Sequence, residues 1–144
     1  PVLKETTELI EHQMKIKNIN FYTDFTASHD WVFCNVNQVK QVFLALLVNA
    51  SEAVSENAEI IMKTSNPDKE HIKVDIIDNG VGIAPEDIPH IFQPFFSTKQ
   101  GTSGIGLGLA IVHGIVQSHK GILDVKSEPG KGTTMSVIFN LVKN

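Results

Sequence analysis

The sequence predicts an α/β fold of the α+β type. The expected form is a two-layer sandwich, with three or four helices on one face of a mixed, mostly antiparallel sheet of about five or six strands. Three observations carry that expectation. Three segments repeat apolar residues at the 3.6-residue spacing that gives a helix one buried face. Strand-like segments come in adjacent pairs instead of alternating strictly with helices, which argues against a doubly wound sheet. The last pair is separated only by Pro129-Gly130-Lys131-Gly132, a tight turn, and so reads as a hairpin.

Element by element, Val2 to Ile16 places Leu3, Thr6, Leu9/Ile10 and Gln13/Met14 on one helical face, and Asn18 and Asn20 break it. Ile19–Phe25 alternates as a strand, and Trp31–Phe33 is a short second one. Asn35 is a suitable cap for the strongest helix, Val36 to Val54, where Val39, Val42/Phe43, Leu46/Leu47, Ala50 and Ala53/Val54 keep the period. Glu59–Thr64 reads as a strand running into a turn at Asn66-Pro67-Asp68. Ile72, Val74 and Ile76 form the buried side of the next strand, which ends at Asp78-Asn79-Gly80. Pro85 to His90 suits a short helix, Gln93 to Ser103 a loop, and Gly106 to Ser118 a helix. Gly121–Ser127 and Thr133–Leu141 are the closing strands.

A chain of 144 residues suits one domain, and 42% hydrophobic residues suffice for a packed core, which excludes wholesale disorder. The net charge of −4 supplies no general attraction to nucleic acid or anionic lipid, so neither is an expected partner. A single cysteine, Cys34, excludes a disulfide framework and a cysteine-rich zinc site. No apolar run reaches the roughly 20 residues that span a bilayer. Without a signal peptide, and with Pro1 first, residues 1–144 are expected to be one domain of a longer, cytoplasmic protein, any membrane anchor lying elsewhere.

Four stretches carry chemistry. In Asp78-Asn79-Gly80-Val81-Gly82-Ile83, a carboxylate at a strand end can accept a hydrogen bond from an exocyclic amino group. That favours adenine over guanine, and Gly80 and Gly82 let the backbone approach a flat base, although Asp-Asn-Gly is also an ordinary turn. From Gly101 to Gly108, four glycines run into a helix start, a natural polyphosphate site, with Lys99 upstream to meet a terminal phosphate. This run is neither a P-loop nor a dinucleotide fingerprint. Asn49, in the apolar stretch Leu46 to Ala53, offers one oxygen to Mg2+, though a lone Asn is more often a hydrogen-bonded helix residue. Phe92, Phe95 and Phe96 beside the glycine run are either core or the anchor of a movable lid.

In this order, the four stretches resemble the catalytic and ATP-binding domain of bacterial sensor histidine kinases, of the ATPase superfamily shared with DNA gyrase, Hsp90 and MutL. The resemblance runs from about Val2 to Val142. Gln41 to Ala50 resembles the N box, Asp78 to Ile83 the first glycine box and Ile91 to Phe96 the F box. Gly104 to Leu109 resembles the second glycine box, and Gly130-Lys131-Gly132-Thr133-Thr134 the closing Gly-x-Gly-Thr turn. The resemblance implies a Bergerat-like fold that binds ATP and Mg2+. It implies Asn49 on Mg2+, Asp78 on the adenine amino group, Gly82 against the base and Thr133 helping to hold the adenine. Ala53, Gly80 and Ile83 complete the nucleotide site, and Lys99 with the backbone of Gly104, Ile105, Gly106, Leu107, Gly108 and Leu109 meets the phosphates.

Two departures shape the expected activity. Ala45 stands one turn before Asn49, where the hydrolytic relatives carry the Glu that activates water, so hydrolysis by this chain alone should be poor. None of His12, His29, His71, His90, His113 or His119 stands in the setting of a phosphoacceptor. The expectation is therefore a protein-histidine kinase domain that transfers the γ-phosphate to a histidine on a separate dimerisation domain of the same full-length protein. A response regulator is then served indirectly, and the isolated domain is a monomer. The alternatives are a nucleotide-sensing module without kinase activity, which Ala45 motivates, and an anti-sigma-type serine kinase, which Phe95-Phe96-Ser97-Thr98-Lys99 argues against.

Overall fold

A computed structural model describes residues 2–27, 32, 34–54, 58–91 and 108–142. Their order is α1 (Val2–Ile16), β1 (Asn20–Phe25), α2 (Val36–Ala53), β2 (Glu59–Asp68), β3 (His71–Asp78), α3 (Gly108–Ser118), β4 (Ile122–Glu128) and β5 (Gly132–Asn140). The five strands form one sheet in the order β1-β2-β3-β5-β4. Only β1 and β2 run parallel; every other pair is antiparallel. A parallel pair needs a long crossover, and α2 supplies it.

One face of the sheet is apolar because alternate side chains of each inner strand point the same way. Ile60 and Met62, then Val74 and Ile76, then Met135, Val137 and Phe139 are buried in one cluster. Over them lie Val42, Phe43, Leu46 and Leu47 of α2, flanked by Ile10 and Met14 of α1 and by Val112 and Val116 of α3. Each such side chain removed from water is worth about 1.5–3 kcal/mol. The ring of Phe43 meets Phe139 edge-on, with centroids 6.3 Å apart.

The helix ends follow from local chemistry. Asn35 caps α2, its side chain accepting the Gln38 N–H at 3.1 Å. At the end of α1, Asn18 takes left-handed backbone (φ 57°), its N–H donating to Lys15 O at 3.0 Å while the Ile19 N–H donates to Met14 O at 2.9 Å. Lys120 and Gly121 close α3 in the same pattern, on Gln117 O and Val116 O at 2.9 Å each.

Three expectations need correction. Asn66-Pro67-Asp68 is not a turn: β2 continues to Asp68 through an irregularity between Ser65 and Asp68. Proline fits there because a bulge spares its missing N–H, and Asn66 Nδ2 donates instead to His71 O at 3.0 Å. The reversal falls one step later, where Asp68 accepts the Glu70 N–H at 2.7 Å and faces His71. Those contacts, the Glu70 N–H foremost, hold the Asp68 carboxyl below its ordinary value. Pro85 to His90 forms only a 3-10 turn at Ile88–His90, because Pro89 cannot donate and disrupts a full helix. The described sheet has five strands; Trp31 and Phe33 lie outside the described residues, and Val32 is not in a strand.

His119 ties two helices together. Its Nε2 accepts the Asn35 N–H at 3.1 Å, its Nδ1 faces Ile115 O at 2.8 Å, and its ring meets Phe139 edge-on at 6.1 Å. With Nε2 accepting, the ring proton sits on Nδ1 and donates to Ile115 O. His119→Ala should therefore cost about 1–2 kcal/mol, partial exposure keeping it low. A urea melt reads this directly, and an unchanged midpoint would show that the tie carries no stability.

Candidate functional site

The connections bring Asn49, the Asp78 turn and Gly108, the described end of the glycine run, to one end of the sandwich. Residue Ala53 ends α2 and Glu59 begins β2 a few residues later, so the C-terminal half of α2, with Asn49, reaches the sheet end where β2 starts. Asp78 lies at that same end, as the register partner of Ile60. Asn79 fastens the corner: its Oδ1 accepts the Glu59 N–H at 2.9 Å. Helix α3 turns at Lys120-Gly121 directly into β4, and β4 finishes beside the start of β5, at Glu128 opposite Gly132. An eleven-residue helix is about 16 Å long. Running back along β4, it carries Gly108 and Leu109 toward the end that holds Asp78.

Across that sheet end runs a row of polar side chains. Asp78 of β3 pairs with Thr133 of β5, which pairs with Ser127 of β4. Asp78 and Thr133 are each 7% exposed, a depth that is uncommon for polar side chains, on a face that is mostly apolar. The Asp78 carboxylate accepts the Gly80 N–H at 2.9 Å, which sets the side chain across the turn. A carboxylate offers about four acceptor sites, of which the Gly80 N–H takes one.

The loop after β3 is pinned to the β4–β5 turn. In that turn the Lys131 N–H donates to Glu128 O at 3.0 Å, Pro129 precedes Gly130, and Gly130 has φ 79°, the features of a type II turn. The Gly130 N–H donates to Val81 O at 2.8 Å, and the Ile83 N–H to Ser127 Oγ at 2.7 Å. A Cβ on Gly82 would stand 2.1 Å from Glu128 O, so glycine is required there by the neighbouring backbone itself.

Of the expected site residues, Asp78, Gly80, Gly82, Ile83 and Thr133 thus come together. Asn49 is half-buried on α2, with Ala45 half-buried one turn earlier and Ala53 at the helix end. Gly108 and Leu109 open α3, and Leu109 is half-buried. Lys99, Gly104, Ile105, Gly106 and Leu107 lie outside the described residues, as do Phe92, Phe95, Phe96 and the loop expected from Gln93 to Ser103. Ser127 and the strand role of Gly132 were missed. Counting back from the hairpin turn pairs Ser127 with Thr133, but the contact to Ile83 has no local signal.

Among the described residues no cluster of three His, Cys, Asp or Glu side chains is placed to hold a metal ion. Asn49 offers a single oxygen. That donor set fits Mg2+, which takes most of its shell from phosphate and water and needs no protein cage. Partial burial pushes the Cys34 thiol up, away from a reactive thiolate. No helix among the described residues is long and apolar enough to cross a membrane.

Comparison with known proteins adds a family and a fold. The model of the histidine kinase-, DNA gyrase B-, and HSP90-like ATPases matches residues 34–143. Sporulation kinase E of Bacillus subtilis is 29% identical over 143 residues, 99% of this chain and 19% of that protein. Sensor histidine kinase ZraS of Escherichia coli is 39% identical over 101 residues, 70% of this chain and 21% of that protein. The chain thus spans about a fifth of the length of these relatives. The solved catalytic domain of histidine kinase ThkA superposes with a TM-score of 0.84 at 28% identity, covering 96% of this chain and 91% of that one.

Proposed function

The chain belongs to the histidine kinase-, DNA gyrase B-, and HSP90-like ATPases, and on that premise we propose that it is the ATP-binding catalytic domain of a two-component sensor histidine kinase. It binds Mg-ATP and donates the γ-phosphate to a histidine on a separate dimerisation domain of a longer, cytoplasmic or membrane-anchored protein. A response regulator receives the group afterwards. The observation that carries this reading is the buried pair Asp78 and Thr133, register partners at the sheet end beside a loop that must be glycine at position 82. Two acceptors at that depth suit the amino edge of adenine.

Phosphoryl transfer asks little covalent chemistry of the protein and much positioning. Asp78 and Thr133 fix the base, and Asn49 contributes one ligand to the cation. Lys99 and the backbone from Gly104 to Leu109 meet the phosphates. Bound with the nucleotide, Mg2+ neutralises phosphate charge, which the −4 net charge of the chain otherwise opposes. The acceptor imidazole nitrogen forms a P–N bond to the γ-phosphorus as the bond to the bridging oxygen breaks, and ADP leaves. Ala45 supplies no base, so the acceptor's proton departs on the acceptor side.

The test is transfer from γ-labelled ATP with Mg2+ to a supplied histidine-bearing dimerisation domain and, separately, to a serine-bearing antagonist protein. Acid-labile, base-stable label on the first is the expected result. Label on serine would replace the reading with a serine kinase. Nucleotide binding without transfer to either would leave a nucleotide-sensing module.

A further inference from the structure

The hydroxyl of Ser127 has three partners: the Ile83 N–H at 2.7 Å, Gly132 O at 3.0 Å and Thr133 Oγ1 at 2.8 Å. A hydroxyl owns one proton and two lone pairs. The Ile83 amide can only donate, so it takes one lone pair. The Gly132 carbonyl can only accept, so it takes the proton. What remains on Ser127 is one lone pair, and it must receive the proton of Thr133. Thr133 therefore spends its only proton inside the protein and has only lone pairs left for any other partner.

We infer that Ser127 is a specificity-determining positioning residue: by holding the Thr133 proton, it makes Thr133 an obligate acceptor in the purine pocket and biases the site toward 6-amino over 6-oxo purines. This rests on the ATP-binding reading above. Asp78 and Thr133 then present acceptors side by side. A 6-amino group donates into that pair, directly or through a water. The oxygen of a 6-oxo purine meets lone pairs, and no hydroxyl proton can rotate to greet it. The same Ser127 bonds also join the Ile83 loop to the start of β5, but joining alone carries no preference between purines.

The experiment measures ATP and inosine triphosphate affinities by calorimetry on this chain, wild type against Ser127→Ala. Losing Ser127 frees the Thr133 proton, and the ATP-to-inosine-triphosphate affinity ratio should fall at least fivefold. Ser127→Thr, which keeps the hydroxyl, should restore it. In a Thr133→Val background, Ser127→Ala should leave the ratio unchanged, since the proton it controls is gone. Where Ser127→Ala does not fold, Ser127→Cys takes its place, because a thiol accepts weakly and keeps the volume. Equal weakening of both nucleotides, with the ratio held, would overturn the inference and leave Ser127 a structural tie. Failure of the folded wild type to bind ATP, or its binding both purines equally, would instead overturn the adenine reading on which the inference stands.

Discussion

Gly132→Ala is expected to cost about 3–5 kcal/mol and to leave the chain largely unfolded at temperatures the parent tolerates. Two effects add. Gly132 has φ 112°, a region in which an L side chain is strained by about 1–3 kcal/mol. A Cβ there would also stand 2.0 Å from Asp78 O and 2.9 Å from the Asn79 Cα, both backbone atoms, at the end of the β3–β5 ladder. No side chain can swing away to relieve that contact. Gly130→Ala separates the two effects: φ is 79°, but nothing lies within 4 Å of the added Cβ, so only the strain of roughly 1–2 kcal/mol remains. Gly114→Ala completes the series, because its site on α3 is open and alanine is the better helix former by about 0.8–1.0 kcal/mol. Urea melts should therefore order Gly114→Ala above wild type, Gly130→Ala below it and Gly132→Ala lowest by a wide margin. Equal midpoints for the Gly130 and Gly132 variants would show that β5 can retreat from β3, and that the corner is softer than its spacing implies.

That corner also marks where reading the sequence runs out. The bounds of α1 follow from its periodicity because a helix needs only near neighbours. Asn35 as the α2 cap is legible for the same reason, the bond to Gln38 spanning three residues. Reading β2 failed at Asn66-Pro67-Asp68 because a proline at a bulge keeps strand pairing alive, and pairing with β3 outweighs the local turn preference. The parallel β1–β2 pair and the strand order depend on which edges meet, which no short segment records. In the site, Asp78, Gly82 and Thr133 are legible as motif residues. Their reasons are not. Gly82 is forced by Glu128 O and Gly132 by Asp78 O, contacts between segments far apart in the chain. Ser127 looks like any strand serine until the loop of Ile83 is folded onto it.

For Asp78→Asn the expected result is a folded protein that loses ATP affinity by roughly 100-fold or more, from the loss of a charged hydrogen bond and its replacement by an opposed donor. The fold should survive because the bond that sets the side chain across the turn can be kept. Asn presents its carbonyl oxygen to the Gly80 N–H, where Asp78 now accepts at 2.9 Å. The opposite rotamer would set the amide NH2 against that N–H, donor against donor, so the orientation is decided locally. The amide NH2 then occupies the other side of the group, where a purine amino group would need an acceptor. A 6-oxo purine meets the reverse situation, since its oxygen can accept from that NH2. Calorimetry should accordingly show ATP binding collapse while inosine triphosphate binding holds or improves, with the unfolding free energy from urea melts changed by less than about 1 kcal/mol. Undiminished ATP affinity in the folded variant would remove Asp78 from the purine contact. Loss of both nucleotides together with a fallen midpoint would instead mean that the carboxylate holds the loop, not the base. The pattern also differs in kind from that of Ser127→Ala. Removing Ser127 should relax discrimination with the Asp78 carboxylate still in place, whereas Asp78→Asn should reverse it, so the two variants separate the parts proposed for two residues of one cross-strand row.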